Sequence, residues 1–144
     1  MKKVKDILAR KGTSVTVVSS SVSVIDALRI MADQNIGSVV VMEGQQFLGI
    51  VTERDYSRKV ALRGRSSTDT PVSEIMSTNF PRVTPNDSVE QCMQLMSEQN
   101  IRYLPVFDGD ISCGIISIND VVRETILTQQ ETISQLKDYL HSSL

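Results

Sequence analysis

Apolar residues recur at spacings of three and four in two stretches of the chain, Val24, Ala27, Leu28, Met31 and Val89, Cys92, Met93, Met96. That period predicts an amphipathic helix in each, with Ser23 and Ser88 placed as N-caps. After each helix come two short β-rich runs, residues 37–42 and 47–51 around Glu43-Gly44, then 103–107 and 111–116 around Asp108-Gly109. A glycine-bearing turn between such runs predicts a hairpin. One more β-rich run precedes each helix, at 15–18 and 80–84, and Pro81 predicts that the later one is shorter. A second helix is expected after Thr52 and after Ser117, so each stretch reads β-α-β-β-α.

The two stretches are copies of one unit. Shifting the chain by 65 residues lays 13–62 on 78–127 without a gap and pairs identical residues throughout, among them Thr13/Thr78, Val18/Val83, Ser23/Ser88, Asn35/Asn100, Gly49/Gly114, Asp55/Asp120 and Arg58/Arg123. Such self-similarity is the signature of a repeat architecture. Short amphipathic lead-ins precede both copies, Val4, Ile7, Leu8 and Val72, Ile75, Met76. The expected division is therefore repeat 1 at 3–64, a polar linker at 65–71, repeat 2 at 72–127 and a C-terminal helical tail at 128–144. A unit of this size with one small sheet leaves apolar surface open. The fold class expected is α/β of the α+β type, two βαββα repeats packed sheet to sheet with pseudo-twofold symmetry.

Composition narrows the function classes. The 144 residues carry a net charge of −2 and only 4% aromatic residues, with no Trp. Attraction of the whole molecule to nucleic acid or to an anionic membrane is not expected, so an anion site would be local. Cys92 and Cys113 stand apart, with His141 in the tail as the one further soft ligand. Neither a zinc site nor a disulfide framework is indicated, and both cysteines are expected as buried fillers. No apolar stretch suits a signal peptide or a membrane span, which makes a cytoplasmic protein the expectation.

Three motif sets carry a family resemblance over about residues 3–127. They are Asp6-Ile7-Leu8 with Glu74-Ile75-Met76, Ile36-Gly37-Ser38-Val39-Val40-Val41 with Ile101-Arg102-Tyr103-Leu104-Pro105-Val106, and Gly49-Ile50-Val51-Thr52-Glu53-Arg54-Asp55 with Gly114-Ile115-Ile116-Ser117-Ile118-Asn119-Asp120. Together they resemble a tandem pair of cystathionine-β-synthase (CBS) domains, a Bateman module, here without an attached catalytic domain. The resemblance implies a regulatory module that binds an adenine nucleotide between its repeats, AMP foremost and ATP, ADP, NAD(H) or S-adenosylmethionine as alternatives. It also implies a homodimer and a regulated partner protein, while the lack of a nucleophile–base pair, a metal cluster or a Gly-rich phosphate loop in the motifs makes a protein without enzymatic activity the expectation. By position, the cleft around Asp120 would take Ser117 with Thr13, Val17, Ile36, Gly37 and Ser38. The cleft around Asp55 would take Thr52 with Thr78, Val83, Ile101, Arg102 and Tyr103.

The residues themselves support two readings of the Thr52-x-x-Asp55 and Ser117-x-x-Asp120 motifs. A hydroxyl and free N–H groups at a helix start attract an anion, and a carboxylate three residues on can accept both hydroxyls of a ribose. The same spacing also makes a capping box, worth about 1 kcal/mol per cap. If capping is the whole role, the protein is a ligand-independent dimerisation or scaffold module. Arg102 is a phosphate candidate or an exposed strand residue paired with an acid. Arg54 and Arg58, with Lys59, Arg63 and Arg65, form a local basic patch that suits phosphates or a solvated helix face. Asn119 stands where repeat 1 has Arg54, so the two clefts are expected to differ. In the tail, Val122, Ile126, Gln129, Ile133, Leu136 and Leu140 alternate gaps of four and three, a seam for the chain's own module or for a coiled coil.

Overall fold

The computed structural model describes residues 1–12 and 14–142. Helices and strands follow in the order α1 (Val4–Lys11), β1 (Val17–Val18), α2 (Val24–Gln34), β2 (Ser38–Glu43), β3 (Gln46–Thr52), α3 (Glu53–Tyr56), α4 (Val89–Gln99), β4 (Tyr103–Asp108), β5 (Ile111–Ser117) and α5 (Ile118–Ser142). A π-helical turn, Ser57–Ala61, prolongs α3, and a 3₁₀ turn, Val72–Glu74, precedes the second copy. The βαββα order stands in the first copy. The class is mixed helix and strand, with two small sheets and a long C-terminal helix.

Two compact units are present, one of Val15–Asn79 and one of Met1–Ser14 with Phe80–Leu144. The sequence divides at 64 and 72, whereas the compact units are cut after Ser14 and after Asn79. Each lead-in has therefore left the repeat it precedes. In the first unit, β1-β2-β3 form one sheet, β1 parallel to β2 and β2 antiparallel to β3. Val18, Val24, Ala27, Met31, Val39, Val41, Val51, Val60, Val72 and Ile75 fill its core, so the 3₁₀ lead-in of the second copy is a wall of the first unit. That lead-in crosses β3 closely: Ile50 N–H donates to the Ser77 carbonyl at 3.0 Å, and Ser77 N–H to the Ile50 carbonyl at 2.8 Å. A Cβ on Gly49 would lie 2.7 Å from that Ser77 oxygen, which is why glycine stands there.

In the second unit β4 and β5 pair antiparallel, and the run at 80–84 reduces to one bridge, Val83 to Val106. The cause is local. In the first unit Val40 N–H donates to the Thr16 carbonyl at 2.9 Å. The 65-residue shift puts Pro105 and Pro81 at those two positions, and Pro105 has no N–H to give. The core here joins Val4, Ile7 and Leu8 of α1 to Val83, Val89, Cys92, Met96, Leu104, Val106, Ile116 and Val121. Backbone bonds seat α1 on the approach to α4, with Val4 N–H on the Asp87 carbonyl and Val89 N–H on the Lys2 carbonyl. The two lead-ins are thus not equivalent in form: one is a helix of eight residues and the other a single 3₁₀ turn.

Ser23 and Ser88 cap α2 and α4 as expected, accepting from Asp26 N–H at 3.3 Å and Gln91 N–H at 3.1 Å. Both helices end on an asparagine in the left-handed conformation, Asn35 and Asn100, an identical pair whose short amide side chain tolerates positive φ. Cys92 is a buried filler, and burial first, with the Asp87 charge second, pushes its thiol up to about 11. Cys113 departs from expectation, being half-buried at the edge of the same core. The tail seam does not pack on its own module: residues 129–142 are exposed throughout. Among the described residues no helix is long and apolar enough to cross a membrane.

Candidate functional site

Each copy ends a strand on a hydroxyl residue and starts a helix, and in both the carboxylate three residues on folds back on the strand end. In the first unit Asp55 Oδ2 accepts from Thr52 N–H at 2.9 Å and from Thr52 Oγ1 at 3.1 Å, while Thr52 Oγ1 accepts from Asp55 N–H at 3.1 Å. In the second, Asp120 Oδ2 accepts from Ser117 N–H at 2.8 Å and Ser117 Oγ from Asp120 N–H at 3.2 Å. Both motifs are complete capping boxes. A further backbone bond holds each helix start to the preceding strand, from Glu53 N–H to the Gly37 carbonyl and from Ile118 N–H to the Arg102 carbonyl.

The second oxygens distinguish the copies. Asp55 Oδ1 accepts from Ser77 Oγ at 2.8 Å and pairs with Lys59 Nζ at 3.0 Å. Lys59 is itself held by the Ile75 carbonyl at 2.8 Å. In the second unit the cation comes from α1: Lys11 Nζ lies 2.7 Å from Asp120 Oδ2 and 3.0 Å from the Ile115 carbonyl. Asp120 Oδ1 accepts no hydrogen bond from a described residue, and Arg123 Nη1 stands 3.9 Å away. The Asp120 side chain is nevertheless only 10% exposed. It borders a hollow of about 150 Å³ lined by Ile7, Arg10, Lys11, Asp120, Arg123 and Glu124.

Glu124 lines this hollow, 2% exposed and gripped by a fork in which Arg10 Nε donates to Oε2 at 3.1 Å and Arg10 Nη2 to Oε1 at 3.2 Å. A buried carboxylate held by a planar guanidinium in this way is the strong form of ion pair. The hydrogen bond to Glu124, then its charge, raises the Arg10 pKa. Lys2 Nζ bridges Glu124 and Glu131 at 3.9 and 3.7 Å.

The other expected residues are distributed between the units. Val17 is exposed, Ile36 and Gly37 are half-buried, and Ser38 is buried opposite Thr52, all in the first unit with the exposed Arg54, Arg58 and Thr78. Val83, Ile101, Arg102 and Tyr103 belong to the second unit. Val83 is 1% exposed, its side chain in the core and its N–H and carbonyl taken by Pro105 and Phe107, so it has no side-chain surface for a ligand. Arg102 is exposed, and Ile101 and Tyr103 are half-buried. Thr13 lies outside the described residues. Lys11, Arg10, Glu124 and Ser77 were not expected at the site. The 65-residue shift does mark three of them, since it sets Lys59 against Glu124, Met76 against Lys11 and Ser77 against Gly12.

The CBS domain family model matches residues 4–62 and 72–126. The mitochondrial CBS domain-containing protein CBSX3 of Arabidopsis thaliana is 36% identical over 146 aligned residues, 95% of this chain and 71% of that protein. A solved protein with CBS domains from Burkholderia ambifaria superposes with a TM-score of 0.85 at 44% identity, covering 89% of this chain and 96% of its own. A hexameric CBS-CP12 protein from bloom-forming cyanobacteria gives a TM-score of 0.72 at 30% identity, covering 85% of this chain and 70% of its own.

Proposed function

Because the chain belongs to the CBS-domain family, we propose that it is a regulatory module whose ligand is an adenine nucleotide, held at the start of α5 by Asp120 and Ser117. The observation that carries this reading is the Asp120 carboxylate, nine-tenths buried beside a hollow, with one oxygen that accepts no hydrogen bond from a described residue. A hydroxyl pair of ribose supplies the donors that this oxygen lacks. The hollow suits the charged end of the ligand as well. Arg10, Lys11 and Arg123 set three positive charges against the two of Asp120 and Glu124, leaving one in excess. That balance favours a phosphate-bearing ligand, AMP, ADP, ATP or NADH, over the cationic sulfonium of S-adenosylmethionine. At about 150 Å³ the hollow holds a ribose or phosphate fragment, since whole-ligand pockets run to roughly 300–1,000 Å³.

The protein acts by binding, with no reaction of its own, and passes the bound state to a partner protein. CBS-domain neighbours form oligomers, as the hexameric CBS-CP12 protein does. In this chain the assembly is a homodimer through the exposed seam of α5, with Ile126, Ile133 and Leu140 at one core position and Val122, Gln129 and Leu136 at the other.

Melting the protein against AMP, ADP, ATP, NADH and S-adenosylmethionine tests the nucleotide. At a hundred times its dissociation constant, a ligand adds about 2.7 kcal/mol to the folded state and raises Tm visibly. A flat response to all five defeats the proposal. The complete capping boxes favour one rival, a scaffold in which both motifs serve helix starts only. There Asp120→Asn changes Tm equally with and without nucleotide.

A further inference from the structure

The two copies share a motif but not its surroundings, and the difference is read at the carboxylate oxygens. A carboxylate offers about four lone-pair sites. At Asp55 they are filled by this chain: Thr52 N–H and Oγ1 on one oxygen, Ser77 Oγ and Lys59 Nζ on the other. The 65-residue shift replaces both donors to that second oxygen. Gly12 stands in place of Ser77, and no described atom lies within 4 Å of where its Cβ would point. Glu124 stands in place of Lys59 and turns away to Arg10. Lys11, in place of Met76, brings the cation back from a different element and onto Oδ2, the oxygen already engaged in the capping box. Oδ1 accepts no hydrogen bond from a described residue, and Asp120 lines the hollow.

We infer that the chain binds one nucleotide, at Asp120, and that Lys11 with Arg123 receives its phosphate, while Asp55 is closed by Ser77 and Lys59. The inference rests on the nucleotide reading above and adds to it the stoichiometry and the phosphate-contacting cations. Lys11 is the last residue of α1 and holds the Asp120 carboxylate and the Ile115 carbonyl by its ammonium group. An arriving phosphate offers that ammonium a second anion, and Lys11 exchanges one partner for the other without any change of backbone. Arg123, exposed and 3.9 Å from Oδ1, reaches the same place from α5.

Isothermal titration of the full chain with AMP, ADP and ATP, and with adenosine as the phosphate-free probe, tests this. The expected result is one equivalent per chain. Asp120→Asn, which keeps a capping acceptor, lowers affinity by about tenfold or more, the worth of a hydrogen bond to a charged group. Lys11→Met, the residue found at the matching position of the other copy, lowers affinity for the nucleotides by about tenfold and leaves adenosine unchanged. Circular dichroism melting of each variant confirms folding, and if Asp120→Asn does not fold the Lys11→Met comparison decides. Two equivalents per chain, or binding abolished by Asp55→Asn and kept by Asp120→Asn, overturns this inference and leaves the nucleotide reading standing. AMP bound as tightly by Lys11→Met as by the natural chain removes Lys11 from the site. No binding of any of the three nucleotides removes the reading itself.

Discussion

Glu43, at the end of β2, accepts from the Ser20 hydroxyl at 2.5 Å and from the Ser20 N–H at 2.8 Å. The hydroxyl bond first, then the backbone bond, lowers its pKa below the ordinary 4.5. A carboxyl depressed by folding adds stability above its unfolded value, and that contribution fades as pH falls through the folded one. Ser20→Ala removes the larger cause, so Glu43 is expected to titrate closer to 4.5 in a carboxyl-resolved NMR titration. An unmoved titration curve would return the shift to the backbone donor. Single residues were legible in the sequence where their partners are near in the chain. Ser23 and Ser88 bond three residues on, and the capping alternative for Thr52 and Ser117 was visible for the same reason. Lys11 was not, because its partner Asp120 is 109 residues away and only the folded chain brings them together.

Elements show the same dependence on range. The helices α2 and α4 and both hairpins follow from period, cap and turn, all local properties of the chain. The collapse of the run at 80–84 to one bridge was half visible: Pro81 announced it, while the missing donor of Pro105 matters only through its pairing across the sheet. The π turn after α3 and the exchange of lead-ins had no local sign. Gly49 marks where that exchange is tightest. In Gly49→Ala the new methyl meets backbone 2.7 Å away, an atom that cannot rotate aside. The variant is expected to lose about 1–3 kcal/mol in urea unfolding, as overpacked sites do. Stability within a few tenths of a kcal/mol of the natural chain would mean that residues 72–77 can lift from β3.

At the scale of the molecule, the inner face of α5 carries Val121 and Glu124 into the second unit, and its other side presents Val122, Ile126, Ile133 and Leu136 to solvent. The periodicity of that stripe was plain in the sequence; which surface it covers was not, because a narrow apolar seam suits its own module or another helix equally. Ile133→Asp sets a charge in the seam and, for the proposed dimer, is expected to halve the mass seen by analytical ultracentrifugation, with the melting of the monomer little changed. A mass equal to that of the natural chain would place the subunit contact elsewhere. The exchanged lead-ins bear on how the polypeptide is made. Residues 15–79 are contiguous and can settle while the ribosome is still at work, whereas α1, which precedes them in the chain, waits for β4, β5 and α5 before it has a surface to join. α1 is therefore secured only after β4, β5 and α5 exist, although it precedes the whole of the first unit in the chain.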